Sequence, residues 1–292
     1  MAESQSGESR GIRNVSDTAL WVAMYRASES EREDALFNDP YARRLAGDRG
    51  AAIVAQMPSG KTMSWPLVVR TAVMDEIVLR CVRDGARTVL NLAAGLDARP
   101  YRLNLPADLR WLHVDMPEMV AYFAERMQQA SPRCNVEFVE ADLRDADARR
   151  RVFSDAAQSG NVLVISEGLL VYLERPQVAS LAHDLGEIAH ARWWLTDLAS
   201  PTLLKYLERQ WAPALRAGNA PLIFGPEENT AFFTPFGWRE VEFRSTWEES
   251  LRLDRKMRGA LFWRWLLRLL PERRRETNRR MSGIVLLEST RR

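Results

Sequence analysis

The chain has 292 residues, 46% of them hydrophobic, with a formal net charge of +2 and two cysteines. This composition is sufficient for a large globular core, and it supports neither nucleic acid as the main partner nor a disulfide-stapled secreted scaffold. With so few cysteines, we expect a cytoplasmic protein. The most apolar helix-like run, residues 259–270, is shorter than the ~20 residues of a membrane span, so we predict no transmembrane helix.

The first part of the chain predicts a leader followed by helices. Residues 1–12 are polar and lack the apolar segment of a signal peptide, so we expect them to be disordered. Residues 13–84 form a predicted helical extension. Its helices are marked by Ser16 or Asp17 at the first N-terminus, Gly47 at the second C-terminus, and Pro66 and Gly85 at the ends of the third.

Strands and helices alternate through residues 85–292, which we predict to be one α/β domain. The first strand contains Val89, Leu90 and Leu92, a nearly continuous apolar run typical of a buried parallel strand. Five such strands with crossover helices indicate a doubly wound, mostly parallel sheet, which two later strands extend to seven. The predicted strands cover residues 88–93, 111–115, 136–140, 162–166, 193–197, 239–243 and 283–287.

The segment 201–235 interrupts this alternation with a helical portion and a stretch rich in Gly, Pro and Asn. An insertion on the ligand side of a sheet is typical of a substrate lid. A solvated surface excursion is the alternative interpretation of the same composition. We predict a lid that contributes acceptor contacts from Trp211, Phe224 and Phe233.

Small and acidic residues follow the predicted strands. The first strand ends in NLAAGLDARPYRL, where small side chains allow a ligand to approach the backbone. Asp115 ends the second strand, and Asp142 and Glu167 follow the third and fourth. The carboxyl ends of parallel strands meet at one edge of a sheet. A carboxylate at the position of Asp115 suits the two hydroxyls of a ribose. The strand ends therefore predict a nucleoside cofactor.

Two classes of nucleoside cofactor compete for this site. Ala93, Gly95 and Ala98 roughly match the spacing of a dinucleotide-binding turn. However, Pro100 and Pro106 leave little room for the long helix that such a turn begins. S-adenosylmethionine carries an ammonium, a carboxylate and a sulfonium but no phosphate, so it fits the acidic strand ends better. We predict no metal site.

Seven ordered stretches carry a resemblance to a known family: DTALWVAMYRA, NDPYARRL, VVRTAVMDE, NLAAGLDARPYRL, HVDMP, ADLRD and SEGLLVYL. The chain resembles the leucine carboxyl methyltransferase-like family of S-adenosylmethionine-dependent methyltransferases, whose bacterial members include polyketide O-methyltransferases. The resemblance covers residues 17–173 and continues loosely through RMSGIVLLE near the C-terminus. It implies a class I methyltransferase fold, S-adenosylmethionine as cofactor and S-adenosylhomocysteine as product.

The resemblance also implies roles for individual residues. The cofactor contacts would be Arg70 for the carboxylate, Glu167 for the amino group, Ala93 and Gly95 for the methionine part, Asp115 for the ribose, Asp142 and Leu143 for the adenine, and Met116 as a further contact.

On the acceptor side, the resemblance implies that Tyr172 faces the substrate, where we expect it to act with Arg70 in catalysis. The family's usual first glycine is Ala93 here. Arg26 takes the place of an N-terminal lysine that some eukaryotic members use. The alternative is that these residues are structural. In that case Tyr172 packs against a helix, and Arg99 and Arg102 pair with Asp97 or other neighbouring acids.

The chemistry of methyl transfer favours one class of acceptor. A carboxylate is ionised at neutral pH and needs positioning only, whereas a phenol with a pKa near ~10 benefits from a general base. No histidine stands at a predicted strand end, which favours a carboxylate of a small polyketide-like metabolite and a methyl ester product. A phenol served by Glu167 or Asp197 is the alternative.

A different class of function is a binding protein that has kept the fold without catalysis. Its arginine-rich C-terminal helix would then lie on an anionic membrane surface. The sequence leaves the oligomeric state open.

Overall fold

The computed structural model describes residues 15–56, 64–217, 221–257 and 259–291. The predicted leader 1–12 lies outside these residues. The side chain of Trp211 also lies outside the described part, although the backbone of its helix is described.

Seven strands form one sheet: β1 (Thr88–Leu92), β2 (Arg110–Asp115), β3 (Asn135–Glu140), β4 (Val162–Ser166), β5 (Ala191–Ala199), β6 (Trp238–Ser245) and β7 (Ser282–Ser289). Their order across the sheet is β3-β2-β1-β4-β5-β7-β6. Strands β1 to β5 are parallel, and β7 runs antiparallel to both of its neighbours. The predicted doubly wound, mostly parallel seven-stranded sheet is confirmed.

Helices flank the sheet, and further helices precede its first strand in the chain. The helices of the described residues are α1 (Val15–Ser30), α2 (Ala42–Gln56), α3 (Trp65–Arg83), α4 (Arg99–Arg102), α5 (Pro117–Met127), α6 (Ala146–Ala156), α7 (Arg175–Glu187), α8 (Pro201–Ala217), α9 (Thr246–Arg252), α10 (Ala260–Arg268) and α11 (Glu272–Arg279). Short 3-10 turns occur at Ala157–Ser159, Leu170–Tyr172 and Asn229–Phe236. Within the described ranges, none of the helices has the length and hydropathy to cross a bilayer.

The second helix is interrupted at Gly47, where the sequence predicts a helix end. Gly47 has φ 57° and ψ −173°, and the chain resumes the helix and continues to Gln56. Glycine adopts a positive φ without a Cβ clash, so the first helical segment of α2 ends at Gly47 and a second segment follows the kink. The predicted helix end at Gly47 is confirmed, and the return to helix beyond it was not predicted. Gly85, with φ 101°, does follow the end of α3.

The core lies on both faces of the sheet, which explains the apolar character of its strands. All residues of β1 and β4 are buried. One hydrophobic cluster includes Trp194, Trp238 and Phe153, and the cluster on α3 includes Trp111 and Met74. These packed layers hold the carboxyl ends of β1 to β5 at one edge of the sheet.

Candidate functional site

A cavity of about 1640 Å³ lies at the edge where β1 to β5 end. The structure brings together nearly all the predicted site residues in this cavity. Those that line it are Arg26, Arg70, Ala93, Gly95, Asp115, Met116, Asp142, Leu143, Glu167, Tyr172 and Phe224.

Asp115 holds the loop that follows β1. Its Oδ2 accepts a hydrogen bond from the backbone N–H of Gly95 at 2.6 Å, and its Oδ1 accepts one from the N–H of Met116 at 2.7 Å. Burial raises the pKa of the Asp115 carboxyl. Gly95 has φ 54°, and an added Cβ would approach the Cβ of Ala19 to 3.3 Å. Ala93, with φ 48°, adopts a conformation that non-glycine residues rarely take.

The helix after this loop is too short for a dinucleotide-binding turn. Helix α4 contains only four residues and begins at Arg99, with Pro100 in its first turn. A pyrophosphate site requires the aligned N–H groups and dipole of a longer helix. The geometry therefore fits a nucleoside cofactor without a pyrophosphate.

Asp142 lies at the rim beyond β3 and has a local partner. Both of its carboxylate oxygens accept hydrogen bonds from the Arg144 guanidinium, and Oδ1 also accepts one from the Arg144 backbone N–H. These contacts with Arg144 lower the pKa of Asp142. Leu143 packs against the core cluster of β1 and β2 while it lines the cavity.

Glu167 and Asp197 share Arg70. The Arg70 guanidinium donates from Nε to Glu167 Oε1 and from Nη1 to Asp197 Oδ2, both at 3.0 Å. Asp197 Oδ1 also accepts the N–H of Gly168 at 2.6 Å. Burial opposes ionisation of Glu167, but the guanidiniums of Arg99 and Arg70 outweigh it and lower its pKa to about 2. Both carboxylates are therefore engaged, and neither is a free general base.

Arg99 is buried at the centre of this charge network, with 2% of its surface exposed. Its Nε lies 2.7 Å from Asp75, and its Nη1 lies 2.8 Å from Asp97 and 2.7 Å from Glu167. Its Nη2 is buried without a hydrogen-bond partner among the described residues. The structural interpretation of Arg99 is confirmed, but the contact with Asp75 of α3 was not predicted.

Arg26 is held by protein groups, although it lines the cavity. Its Nε donates to Asp39 at 2.9 Å and its Nη2 donates to the Leu96 carbonyl at 2.6 Å. These bonds anchor α1 to the loop after β1. A contact between Arg26 and an acceptor stays a prediction.

Tyr172 ends the 3-10 turn after β4 and contacts the N-terminal extension. Its side chain is hydrogen-bonded to Thr18 of α1, and burial is the main cause of the raised pKa of its phenol. Sequence reasoning missed Thr18, since nothing in its local pattern connects it to a residue so distant in the chain. The neighbouring Val171 carbonyl accepts the N–H groups of Ile223 and Phe224, which ties the predicted lid to this turn.

One predicted acceptor contact lies elsewhere. Phe233 is fully buried and packs against Trp194, Phe224 and Phe232, and it does not line the cavity. Phe233 anchors its irregular segment to the core in this structure, and a contact between Phe233 and the acceptor stays a prediction.

A wall of the cavity formed by α9, α10 and α11 was not predicted from the sequence. Trp263 and Leu267, one helical turn apart, line the cavity. Phe262, Trp265 and Leu269 are exposed, between 58% and 66% of each. The run of aromatic residues and arginines in α10 could have indicated this wall from the sequence. In the structure, α10 has one apolar face toward the cavity and a second apolar face that is exposed.

Comparison with known proteins identifies the family. Residues 19–186 match the family model described as leucine carboxyl methyltransferase. A Frankia alni protein, provisionally named as an S-adenosyl-L-methionine-dependent methyltransferase, is 31% identical over 241 residues, which cover 77% of this chain and 83% of the relative. A Parafrankia protein with the same provisional name is 32% identical, and the match spans 63% of each of the two chains.

A solved structure supports the fold. A DUF574 family protein from Streptomyces avermitilis superimposes with a TM-score of 0.57 at 13% identity, over 93% of this chain and 97% of that one. An identity this low shows the fold alone. The family match and the relatives carry the assignment, and the chain belongs to the leucine carboxyl methyltransferase family of S-adenosylmethionine-dependent methyltransferases.

Proposed function

We propose that this protein methylates a carboxylate of a small polyketide-like metabolite. The O–CH₃ bond of a methyl ester forms as the S–CH₃ bond of S-adenosylmethionine breaks, which leaves S-adenosylhomocysteine. The observation that carries the proposal is the composition of the cavity. Acids suited to the cofactor lie at successive strand ends, while no histidine of the described residues lines it.

The residues at the strand ends fit S-adenosylmethionine. Each oxygen of Asp115 accepts one backbone N–H and retains a lone pair for a ribose hydroxyl. Arg70 Nη2 makes no hydrogen bond within the described residues and is available to the cofactor carboxylate. Glu167 suits the amino group, and Gly95 leaves room beside the methionine part. In this proposal Ala93, Met116, Asp142 and Leu143 complete the cofactor contacts.

The acceptor side favours a carboxylate over a phenol. The cofactor, when bound, supplies a methyl group already activated by its sulfonium, so the protein mainly has to orient the acceptor. Tyr172, whose pKa is raised mainly by burial, stays protonated at neutral pH, so its hydroxyl can donate a hydrogen bond to the acceptor. Glu167 and Asp197, the bases that a phenol would need, are both bound to Arg70. An ionised carboxylate requires neither of them.

The segment 201–235 is proposed as the lid that excludes water from this reaction. Leu203 and Leu207 of α8, together with Leu222 and Phe224, bring apolar side chains to the cavity. The backbone bonds from Ile223 and Phe224 to Val171 fix the segment beside Tyr172.

Replacing Tyr172 with phenylalanine is expected to slow turnover by about 10- to 100-fold, since loss of the phenol hydroxyl misaligns the acceptor. The affinity for S-adenosylmethionine should stay within about twofold, because the proposed cofactor contacts remain. Turnover is measured with the best acceptor from a panel of aromatic acids, and affinity by calorimetry. Thr18→Val, which removes the hydroxyl's partner, should slow turnover less. Unchanged turnover in Tyr172→Phe would exclude the tyrosine from catalysis.

A further inference from the structure

The cavity is larger than the cofactor requires. Its volume of about 1640 Å³ exceeds the ~300–1000 Å³ typical of a small-molecule pocket. The additional space lies toward β6 and β7, where α9 follows β6 and α11 precedes β7. Apolar side chains line it, among them Tyr206, Trp247, Leu251 and Trp263. Tyr206 and Trp263 are about half exposed, which is typical of a surface that receives an apolar ligand.

Three arginines at this end form the arginine wall: Arg268 of α10 and Arg275 and Arg279 of α11. Arg268 and Arg275 are exposed and form no ion pair with any described residue. Their lack of partners is unusual here, because most cavity-lining arginines, such as Arg70 and Arg99, are bound to carboxylates.

Arg279 is only partly satisfied. Its Nε lies 3.5 Å from Glu248 and 3.7 Å from Glu276, and its guanidinium lies over the ring of Phe243. Its Nη1 is buried without a hydrogen-bond partner among the described residues, as is the hydroxyl of the cavity-lining Ser245. A buried donor without a partner is costly unless a ligand satisfies it.

The charge at this end is positive. Among the described cavity-lining residues between 245 and 284, Glu248 is the only acid, so the three guanidiniums exceed the carboxylates by two. Arginine binds carboxylate, sulfate and phosphate groups through paired N–H donors. The ligand group that this end fits is therefore an anion.

The sheet sets the spacing between the strand ends beside this end of the cavity and those beside the proposed methyl-transfer site. Glu167 follows β4 and Ser245 ends β6, and the strand order places β5 and β7 between them. The register pairs Ser245 with Gly283 and Ala199 with Ser282, so these strand ends lie at the same edge. Three strand spacings of about 4.8 Å separate the two positions by about 14 Å.

We propose that the arginine wall binds a second anionic group, at the far end of an extended and largely apolar acceptor. This inference rests on the proposed function, since it assumes that the first anionic group is the carboxylate methylated beside Tyr172. The acceptor class is then an aromatic or alkyl skeleton that carries acidic groups at its two ends. The apolar walls of α8, α9 and α10 hold the skeleton between them.

Two fluorescent probes that share one aromatic skeleton test this. Anilinonaphthalene sulfonate carries an anion, and phenylnaphthylamine lacks it. In the double variant Arg268→Gln/Arg275→Gln, the affinity for the sulfonate is expected to fall about tenfold or more, and that for the neutral probe less than about twofold. The matched control is Arg273→Gln/Arg274→Gln, which removes two exposed α11 arginines that do not line the cavity. This control should leave both affinities within about twofold.

The inference is overturned by three results: equal weakening of both probes, an equal effect of the control variant, or no binding of the sulfonate to the wild-type protein. Melting curves establish that both variants are folded. Calorimetry with S-adenosylmethionine separates the two proposals. If the wild-type protein does not bind S-adenosylmethionine, the proposed function is refuted. If it binds the cofactor but the double variant does not weaken the sulfonate more than the neutral probe, only the arginine wall is refuted.

Discussion

Replacing Arg99 with methionine is expected to lower the free energy of unfolding by about 3 to 5 kcal/mol at pH 7, because it leaves buried carboxylates without their cation. Asp75, Asp97 and Glu167 all pair with this guanidinium, which is 2% exposed. Chemical denaturation measures the change. Arg43→Met is the matched control, since Arg43 forms an exposed pair with Glu31 and should contribute less than about 1 kcal/mol.

The Arg99 effect should depend on pH in a defined direction. The pKa of Glu167 is about 2 in the folded protein against a usual value of 4.5. Its ion pairs therefore stabilise the fold fully above the unfolded pKa, and this stability is lost as the pH falls toward the folded pKa. Replacing Arg99 removes part of the lowering of the Glu167 pKa. The difference between variant and wild type should shrink as the pH is lowered from 5 toward 2, and a difference that grows would contradict the network.

Replacing Asp115 with alanine is expected to weaken S-adenosylmethionine binding by about 1 to 3 kcal/mol, or about 5- to 150-fold. The loss has two physical causes. The ribose hydroxyls lose their acceptor, and the N–H groups of Gly95 and Met116 lose the carboxylate that fixes the loop after β1. Calorimetry with the purified protein measures the affinity directly.

Two further variants make the Asp115 result specific. Asp115→Asn retains one carbonyl oxygen for the loop and should lose less affinity than the alanine variant. Asp108→Ala removes an exposed carboxylate outside the cavity and should bind the cofactor as the wild type does. An unchanged affinity in Asp115→Ala would remove this residue from the cofactor site.

The sheet was predictable from the sequence because its signals are local. The run from Val89 to Leu92 is buried on both faces of the sheet and is apolar apart from Asn91, and small or acidic residues mark the ends of the strands. Every predicted strand is present, with ends that differ by at most two residues. The same local signals predicted that Asp115, Asp142 and Glu167 lie together, since parallel strands end at one edge, and all three line the cavity.

The features that escaped prediction depend on contacts between distant segments. Arg99 reaches Asp75 in α3, and Tyr172 reaches Thr18 in α1. Neither pair has a sequence spacing that a helix or strand period would reveal. The burial of Phe233 in the core also depends on distant contacts, because a buried aromatic anchor and a ligand contact have the same appearance in a sequence.

The chemistry of the product distinguishes a carboxylate acceptor from a phenol. The protein is incubated with methyl-labelled S-adenosylmethionine and aromatic hydroxy acids, which present a carboxylate and a phenol on one skeleton. We expect a methyl ester whose label mild base releases, formed at a rate that is flat through neutral pH because no group must lose a proton. A base-stable methyl ether, formed at a rate that rises with pH, would contradict it.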